Sequence, residues 1–220
     1  MSAENKGIAL ARLADYVAGF PPEFVIAQDD LVTVAVVEHR VFGEQEYEFT
    51  TFHTYRIAGG VVIEEWSNAA PGTAPAGSGR PQPADHVPRP IGDGDPEAGT
   101  RRVADFFRFV LESHDPDAAK DYVTEDYLQH AGHIAPGRAG LEAFIRQVFP
   151  DGPIATPEQL PFPPAILMGE GDRVVIAGAI PQPDGHGGTY VRYAYDGFRL
   201  EGDLIAEHWS GIDPGNRPAM

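Results

Sequence analysis

Hydrophobic side chains recur at two different periods in the second half of the chain. A spacing of three and four residues, typical of a helix, is found at 103–110 and at 137–148, and a short helix is predicted between them at 118–122. Apolar runs typical of strands follow at 173–180, 189–200 and 204–209, and the turn sequence EGD joins the last two. Helices followed by a run of antiparallel strands predict an α+β fold rather than a βαβ arrangement.

The first half repeats part of this pattern. The amphipathic segment KGIALARLADYVAGFPPE resembles PGRAGLEAFIRQVFPDG, and DDLVTVAVV resembles GDRVVIAGAI. The segment TYRIAGGVVIEEWS matches part of YDGFRLEGDLIAEHWS after a shift of 143 positions. Because equal strand patterns and turns impose equal registers, the repeat predicts two lobes whose strands superimpose.

Identical residues meet at five positions of this shifted segment: Arg56 and Arg199, Gly59 and Gly202, Glu64 and Glu207, Trp66 and Trp209, Ser67 and Ser210. The recurring glutamates indicate a structural role, and we predict that they pair with the recurring arginines. One position changes its chemistry, because His53 stands where the second copy has Asp196. His53 is expected to belong to a scaffold lobe rather than to an active site.

Nothing in the first half corresponds to the first two helices or to the sequence YLQH. Either this copy is abbreviated, or the natural start lies upstream of Met1. Residues 69–99 separate the copies and hold 7 Pro and 6 Gly in 31 positions, a composition typical of an extended linker. The sequence therefore divides into a first lobe at 1–68, a linker at 69–99 and a complete lobe at 100–220.

Composition limits the classes of function. A net charge of −17 argues against nucleic acid as a partner, because phosphate binding needs clustered Lys and Arg. The absence of cysteine excludes disulfides and thiolate chemistry. No apolar run approaches the roughly 20 residues of a membrane span, so the default expectation is a cytoplasmic protein. The scarcity of lysine beside many Ala, Gly and Pro is typical of a bacterial genome rich in G and C.

The quoted segments, together with DYLQHAGHIAPGRAGLEAFI and the Gly171-Asp172 pair that opens a strand, resemble the SnoaL-like family of the nuclear transport factor 2-like superfamily. The resemblance is nearly complete over 100–213 and partial over 6–68. It implies two cone-shaped lobes, each a curved antiparallel sheet wrapped around helices and enclosing an apolar pocket. Members of the family commonly pair through their sheets, which implies an internal pseudo-dimer here and leaves room for a homodimer.

The resemblance also implies a site in the second lobe. Asp196 shares a strand face with Phe198 and Leu200, and burial on an apolar face disfavours the charged form of a carboxylate, which suits it for proton transfer. The alternative is a structural role, in which Asp196 caps a neighbouring loop or pairs with an arginine such as Arg192. The candidate residues are Asp196 and His130 as catalytic groups, with Tyr127, Gln129, His133, Phe198 and Trp209 as ligand-binding groups.

Two neighbouring residues of the last strand are assigned different places. Trp209, taken to lie beside Ile205, is expected in the core or the pocket wall, and His208 at the interface between the sheets. His130 and His133 are three apart, but Gly132 lies between them and no third ligand is evident, so no metal site is predicted.

The expected function is cofactor-independent acid–base chemistry on a small hydrophobic carbonyl compound, of the polyketide cyclase or isomerase type. A non-catalytic small-molecule-binding or scaffold protein of the same fold is the alternative. Epoxide hydrolysis is a weaker enzymatic variant, because it needs a water held by several polar groups, and Asp196 with Gln129 does not supply them. No cofactor and no membrane partner are expected.

Overall fold

The computed structural model describes residues 2–42, 45–68, 87–161, 163–183 and 187–211. The first lobe begins with two short helices, α1 (Ser2–Arg12) and α2 (Ala14–Gly19). Its sheet is an antiparallel meander in the order β1-β2-β3-β4, formed by Pro22–Gln28, Leu31–Phe42, Gln45–Ala58 and Val61–Ser67.

The second lobe opens with α3 (Pro96–Phe106), which continues through a π-helical turn at 107–111. A 3₁₀ segment, Pro116–Asp121, leads into β5 (Val123–Gln129) and α4 (Arg138–Val148). A second meander follows, formed by β6 (Ile166–Glu170), β7 (Arg173–Pro183), β8 (Thr189–Glu201) and β9 (Leu204–Ser210). The sheet order is β5-β9-β8-β7-β6, and β5 runs parallel to β9.

The α+β fold with two curved sheets agrees with the prediction, but two strands and one boundary were not predicted. β1 and β6 are short strands at sheet edges, and each follows proline-rich sequence that is typical of a loop. Helix α3 begins at Pro96, inside the segment expected to be linker, because the Asp95 side chain accepts hydrogen bonds from the first-turn amides of Glu97 and Ala98. Residues 69–86 of that segment lie outside the described residues.

Each sheet covers its own helices with one face. In the second lobe the helices pack on a core that includes Val103, Phe106, Ile145, Phe198 and Ile205. In the first lobe α1 and α2 cover a smaller core that includes Ala9, Val32, Val34, Tyr55 and Ile57. Burying an apolar stripe of each helix in this way is what fixes the helices on the sheet.

The other faces of the two sheets pack against each other. Phe24, Ile26 and Phe52 of the first sheet form one buried cluster with residues of the second that include Met168, Val175, Tyr195 and Trp209. The rings of Phe52 and Tyr195 stack with their centroids 5.2 Å apart. A Cβ at Gly197 would lie 3.0 Å from the Phe52 ring, so this glycine permits the close approach of the sheets.

Hydrogen bonds across this contact are reciprocal. Gln28 ends β1 and accepts from the Gly169 amide through Oε1 at 2.8 Å. Glu170 ends β6 and accepts from the Ala27 amide through Oε2 at 2.6 Å. Equivalent strand ends therefore exchange equivalent bonds, as the two sides of a two-fold interface do.

The last hairpin has the same register in both sheets. Arg56 pairs with Glu64 as Arg199 pairs with Glu207, and both turns pass through a glycine, Gly59 or Gly202, with φ of +59°. In each hairpin one extra residue, Ile63 or Ala206, interrupts the ladder as a β-bulge. The predicted ion pairs are confirmed, with Nε to carboxylate distances of 2.7 Å in both lobes.

Candidate functional site

A hydrogen-bonded acid–imidazole pair lies on the helix-facing side of the second sheet. Asp196 of β8 and His208 of β9 meet at 2.8 Å, between Oδ1 and Nε2. Their side chains are 16% and 10% exposed. Phe198 is the cross-strand partner of His208, and the two rings stack with centroids 4.9 Å apart. The pair is therefore held against an apolar wall with little access to water.

Gln129 of β5 fixes the proton on the far side of this imidazole. The Ala131 amide donates to Gln129 Oε1 at 2.9 Å, which identifies that atom as the oxygen of the side-chain amide. His208 Nδ1 lies 2.9 Å from the same oxygen and must donate to it. The hydrogen bond between Nε2 and Asp196 then contains one proton, which the imidazole and the carboxyl group share.

Two further side chains complete the interior around His208. Tyr127 accepts a hydrogen bond from Gln129 Nε2 at 3.3 Å, which leaves its own hydroxyl proton to donate elsewhere. Burial and the nearby Asp196 carboxylate raise the pKa of Tyr127 well above its ordinary value. Burial, with a smaller contribution from His208, lowers the pKa of His133, which packs edge-on against Phe144. Both groups stay neutral at pH 7.

Residues 103–208, which contain this whole arrangement, match the family model described as a SnoaL-like domain. No curated protein is significantly similar to the chain.

Several solved structures are similar to about half of the chain. TsrD from Streptomyces laurentii is 23% identical, with 54% of this chain and 90% of that one covered and a TM-score of 0.37. An NTF2-like protein of unknown function from Burkholderia pseudomallei is 15% identical, covering 53% and 91%, with a TM-score of 0.37. A SnoaL-like polyketide cyclase from Agrobacterium tumefaciens is 17% identical, covering 50% and 90%, with a TM-score of 0.33.

The second lobe brings together five of the seven sequence-predicted site residues: Asp196, Tyr127, Gln129, His133 and Phe198. The other two lie on the opposite side of the sheet. Trp209 packs edge-on against Phe24 of the first lobe, with ring centroids 5.3 Å apart. His130 stacks on Trp209 at 5.1 Å and bonds to Glu207 at 2.9 Å.

The bulge at Ala206 explains why His208 was wrongly assigned to the interface between the sheets and Trp209 to the face of Ile205. In a hairpin without a bulge, Trp209 would be the cross-strand partner of Asp196, and Trp209 would lie on the same face as Ile205. The extra residue shifts the register by one, so that His208 pairs with Phe198 and Trp209 with Gly197. The pairing of Arg199 with Glu207 already implied this shift, because a regular hairpin would have placed Ala206 opposite Arg199.

His130 belongs instead to a buried charge cluster between the lobes. Glu207 accepts from Arg199 Nε at 2.7 Å and contacts His130, whose other ring nitrogen lies 3.7 Å from Glu48 of the first lobe. Burial favours the neutral form of Glu207, but the hydrogen bonds from His130 and Arg199 outweigh it and lower the pKa of its carboxyl to about 2. The cluster connects the second lobe to the first lobe.

We expect Glu207→Gln to remove part of the acid sensitivity of folding. The pKa of Glu207 falls from 4.5 to about 2 on folding, so its contribution is complete above pH 4.5 and is lost as the pH falls towards 2. The difference amounts to about 3 kcal/mol. Unfolding free energies of the wild type and the variant between pH 2 and pH 7, by urea titration, measure it.

Glu64→Gln is the matched control, because Glu64 occupies the equivalent position beside Arg56 but is 52% exposed. Its acid profile should follow that of the wild type. Parallel profiles for the Glu207 variant and the wild type would contradict the assignment of the ion pair.

The described residues contain neither a cluster of metal ligands nor a membrane-spanning helix. Within them, no three His, Asp or Glu side chains converge as a metal ion requires. His130 and His133, the pair considered from their spacing, take different neighbours, Trp209 and Phe144. None of the helices in the described part of the chain combines the length and the hydrophobicity needed to cross a bilayer.

Proposed function

We propose that the second lobe catalyses cofactor-independent acid–base chemistry on a small hydrophobic carbonyl compound, of the polyketide cyclase or isomerase type. The observation that carries this proposal is the 2.8 Å hydrogen bond between Asp196 and His208 in an apolar interior. The match of residues 103–208 to the family model described as a SnoaL-like domain supports it.

Asp196 is the proposed proton acceptor. Its Oδ1 shares a proton with His208 Nε2, so the second carboxylate oxygen is the atom that takes the proton α to the substrate carbonyl. The C–H bond breaks, its electron pair moves to the carbonyl, and an enolate forms. Tyr127, neutral and with a free hydroxyl proton, donates to the enolate oxygen. The enolate then attacks a second carbonyl in a cyclase, or takes back the proton at another carbon in an isomerase.

Exchange of α-protons tests the proposal without knowledge of the natural substrate. The ketone 2-tetralone in D₂O exchanges its α-protons at a rate that proton NMR follows. The wild-type chain is expected to accelerate this exchange saturably. Saturable binding of the ketone without any acceleration would support the alternative, a non-catalytic binding protein. That alternative is favoured by the completeness of the network, because both ring nitrogens of His208 already have protein partners.

Gln129 is the proposed positioning residue for His208. Gln129→Leu removes the oxygen that accepts from Nδ1, so the imidazole is free to take the other tautomer. We expect the exchange rate to fall about tenfold, the value of one hydrogen bond in the transition state. The pH of half-maximal rate should also shift, whereas a purely structural role would leave it in place. Gln147→Leu, on the exposed side of α4, is the control and should match the wild type.

The first lobe is proposed to be an abbreviated copy of the same domain. Its last hairpin has the register and the bulge of the second copy, and equivalent strand ends exchange equivalent hydrogen bonds across the contact. On this proposal the two sheets form a pseudo-dimer within one chain.

A further inference from the structure

Three buried polar atoms on the helix-facing side of the first sheet have no hydrogen-bond partner among the described residues. They are Nδ1 and Nε2 of His53 and the hydroxyl oxygen of Tyr55. Native proteins seldom leave such groups unpaired, because each has lost its water without compensation. The two residues are two positions apart on β3, so both side chains point to the helix-facing side of the sheet. The unpaired groups therefore lie on the same face of the same strand.

Helix α2 covers His53 on this side of the sheet. The Tyr16 ring lies edge-on against His53, with centroids 5.4 Å apart. The Tyr16 hydroxyl donates to Glu38, and the Thr51 hydroxyl donates to the same carboxylate oxygen at 2.8 Å. Both donors are thereby engaged, and the side chains around His53 are held in place. Tyr55 also belongs to a buried apolar cluster on this face, which includes Val32, Val34, Val36, Ile57, Val17 and Phe20.

The interior of this lobe favours neutral groups. Burial lowers the pKa of His53 more than the Glu65 and Glu38 carboxylates raise it. Burial also raises the pKa of Tyr55 to about 12. At pH 7 the two side chains therefore offer one N–H donor, one nitrogen acceptor and one hydroxyl, all uncharged. A charged ligand would meet the same desolvation cost as a charged imidazole.

The last hairpin of each lobe carries one acidic residue and one histidine at the same two register positions, but in the opposite order. His53 has the register position of Asp196, and Glu65 has that of His208. Glu65 lies 3.5 Å from Arg12 at the lobe surface, beside a groove of about 410 Å³ between α1 and β4. The first lobe thus has the histidine on β3 and the acid on β4, the reverse of the second lobe. The His53 ring forms no hydrogen bond with the described residues.

We propose that the first lobe is a second binding site, in which the His53 ring and the Tyr55 hydroxyl hold the carbonyl group of a small, neutral, largely apolar molecule. The site binds rather than reacts, because no carboxylate is hydrogen-bonded to His53 among the described residues. It stands independently of the chemistry proposed for the second lobe.

The test uses the full chain with ¹⁵N-labelled imidazoles, the ketone acetophenone, and benzoate as its anionic counterpart. The nitrogen signals of His53 are assigned by their loss in His53→Gln. Acetophenone is expected to shift them saturably in the wild type and in Asp196→Asn alike. Benzoate should bind at least about tenfold more weakly, because its charge would have to be desolvated.

Tyr55→Phe provides the decisive variant. The equivalent position of the second lobe is Phe198, so a phenyl ring suits this strand. We expect acetophenone to bind this variant about tenfold more weakly, the loss of one hydrogen bond, with an unchanged circular dichroism spectrum. An unshifted His53 signal at saturating ketone, which would indicate a buried water only, overturns the proposal. Equal affinity for benzoate, or an unchanged Kd in Tyr55→Phe, overturns it too.

Discussion

Asp196→Asn should lower the rate of α-proton exchange by a factor of about 10² to 10⁴, the usual contribution of a positioned general base. This corresponds to about 3–5 kcal/mol of transition-state stabilisation. The amide keeps the shape of the carboxyl group and its contact with His208 Nε2, 2.8 Å away in the wild type, but it cannot accept a proton from carbon. The fold should be retained, because Asp196 keeps its partner and its place in β8.

The measurement is the exchange rate of 2-tetralone at saturation, beside the thermal unfolding midpoint of each variant. Asp203→Asn is the matched control, since its carboxyl group lies in the exposed turn between β8 and β9. Its rate should equal that of the wild type. A rate unchanged by Asp196→Asn in a folded protein would remove the proposed catalyst and leave the binding alternative.

Trp209→Ala should cost about 3–5 kcal/mol of unfolding free energy, the range for a buried aromatic side chain replaced by alanine. Trp209 is 1% exposed and lies between the sheets, in contact with Phe24 on one side and His130 on the other. Its removal leaves a cavity at the contact between the lobes, where both sheets are rigid. Urea unfolding, followed by far-ultraviolet circular dichroism, gives the difference.

Trp66→Ala is the control for this prediction. Trp66 has the same register position in the first sheet but is only partly buried, with Arg56 over its ring at 5.6 Å. We expect a loss of about 1 kcal/mol, as for an average substitution. Equal losses at the two positions would show that Trp209 is not at the centre of the contact between the sheets.

The face of the sheet on which each side chain lies could be predicted from the sequence for β8 but not for β9 beyond its bulge. Asp196 and Phe198 were assigned to the correct face of β8, because alternation there is unbroken. Beyond the turn, Ala206 adds one residue, and no single-strand pattern reveals an extra alanine in an apolar run. The repeated Arg and Glu residues were the signal for it, since ion pairing requires them to lie opposite each other.

The neighbours of His53 could not be predicted for a different reason. The sequence pattern indicates one amphipathic helix before β1, whereas the helix is interrupted at Leu13 and α2 forms separately. Tyr16 of this short helix packs on His53. The spacing of apolar residues predicts which face of a continuous helix is buried. An interruption changes which residues of the sheet the second helix packs on, and the spacing does not reveal the interruption.

The stacked rings of Phe52 and Tyr195 have a consequence for how this contact can vary. The Tyr195 hydroxyl donates to Thr54 at 3.2 Å, whereas Phe52 carries no hydroxyl and the position equivalent to Thr54 is Gly197. In a dimer of identical chains every substitution appears on both sides, so a tyrosine could not face a phenylalanine across the axis. Here each side is encoded separately, and the two sheets meet at an effective concentration set by the connecting segment rather than by the amount of protein. The contact between the sheets therefore persists when the protein is diluted, and its two sides can differ in sequence.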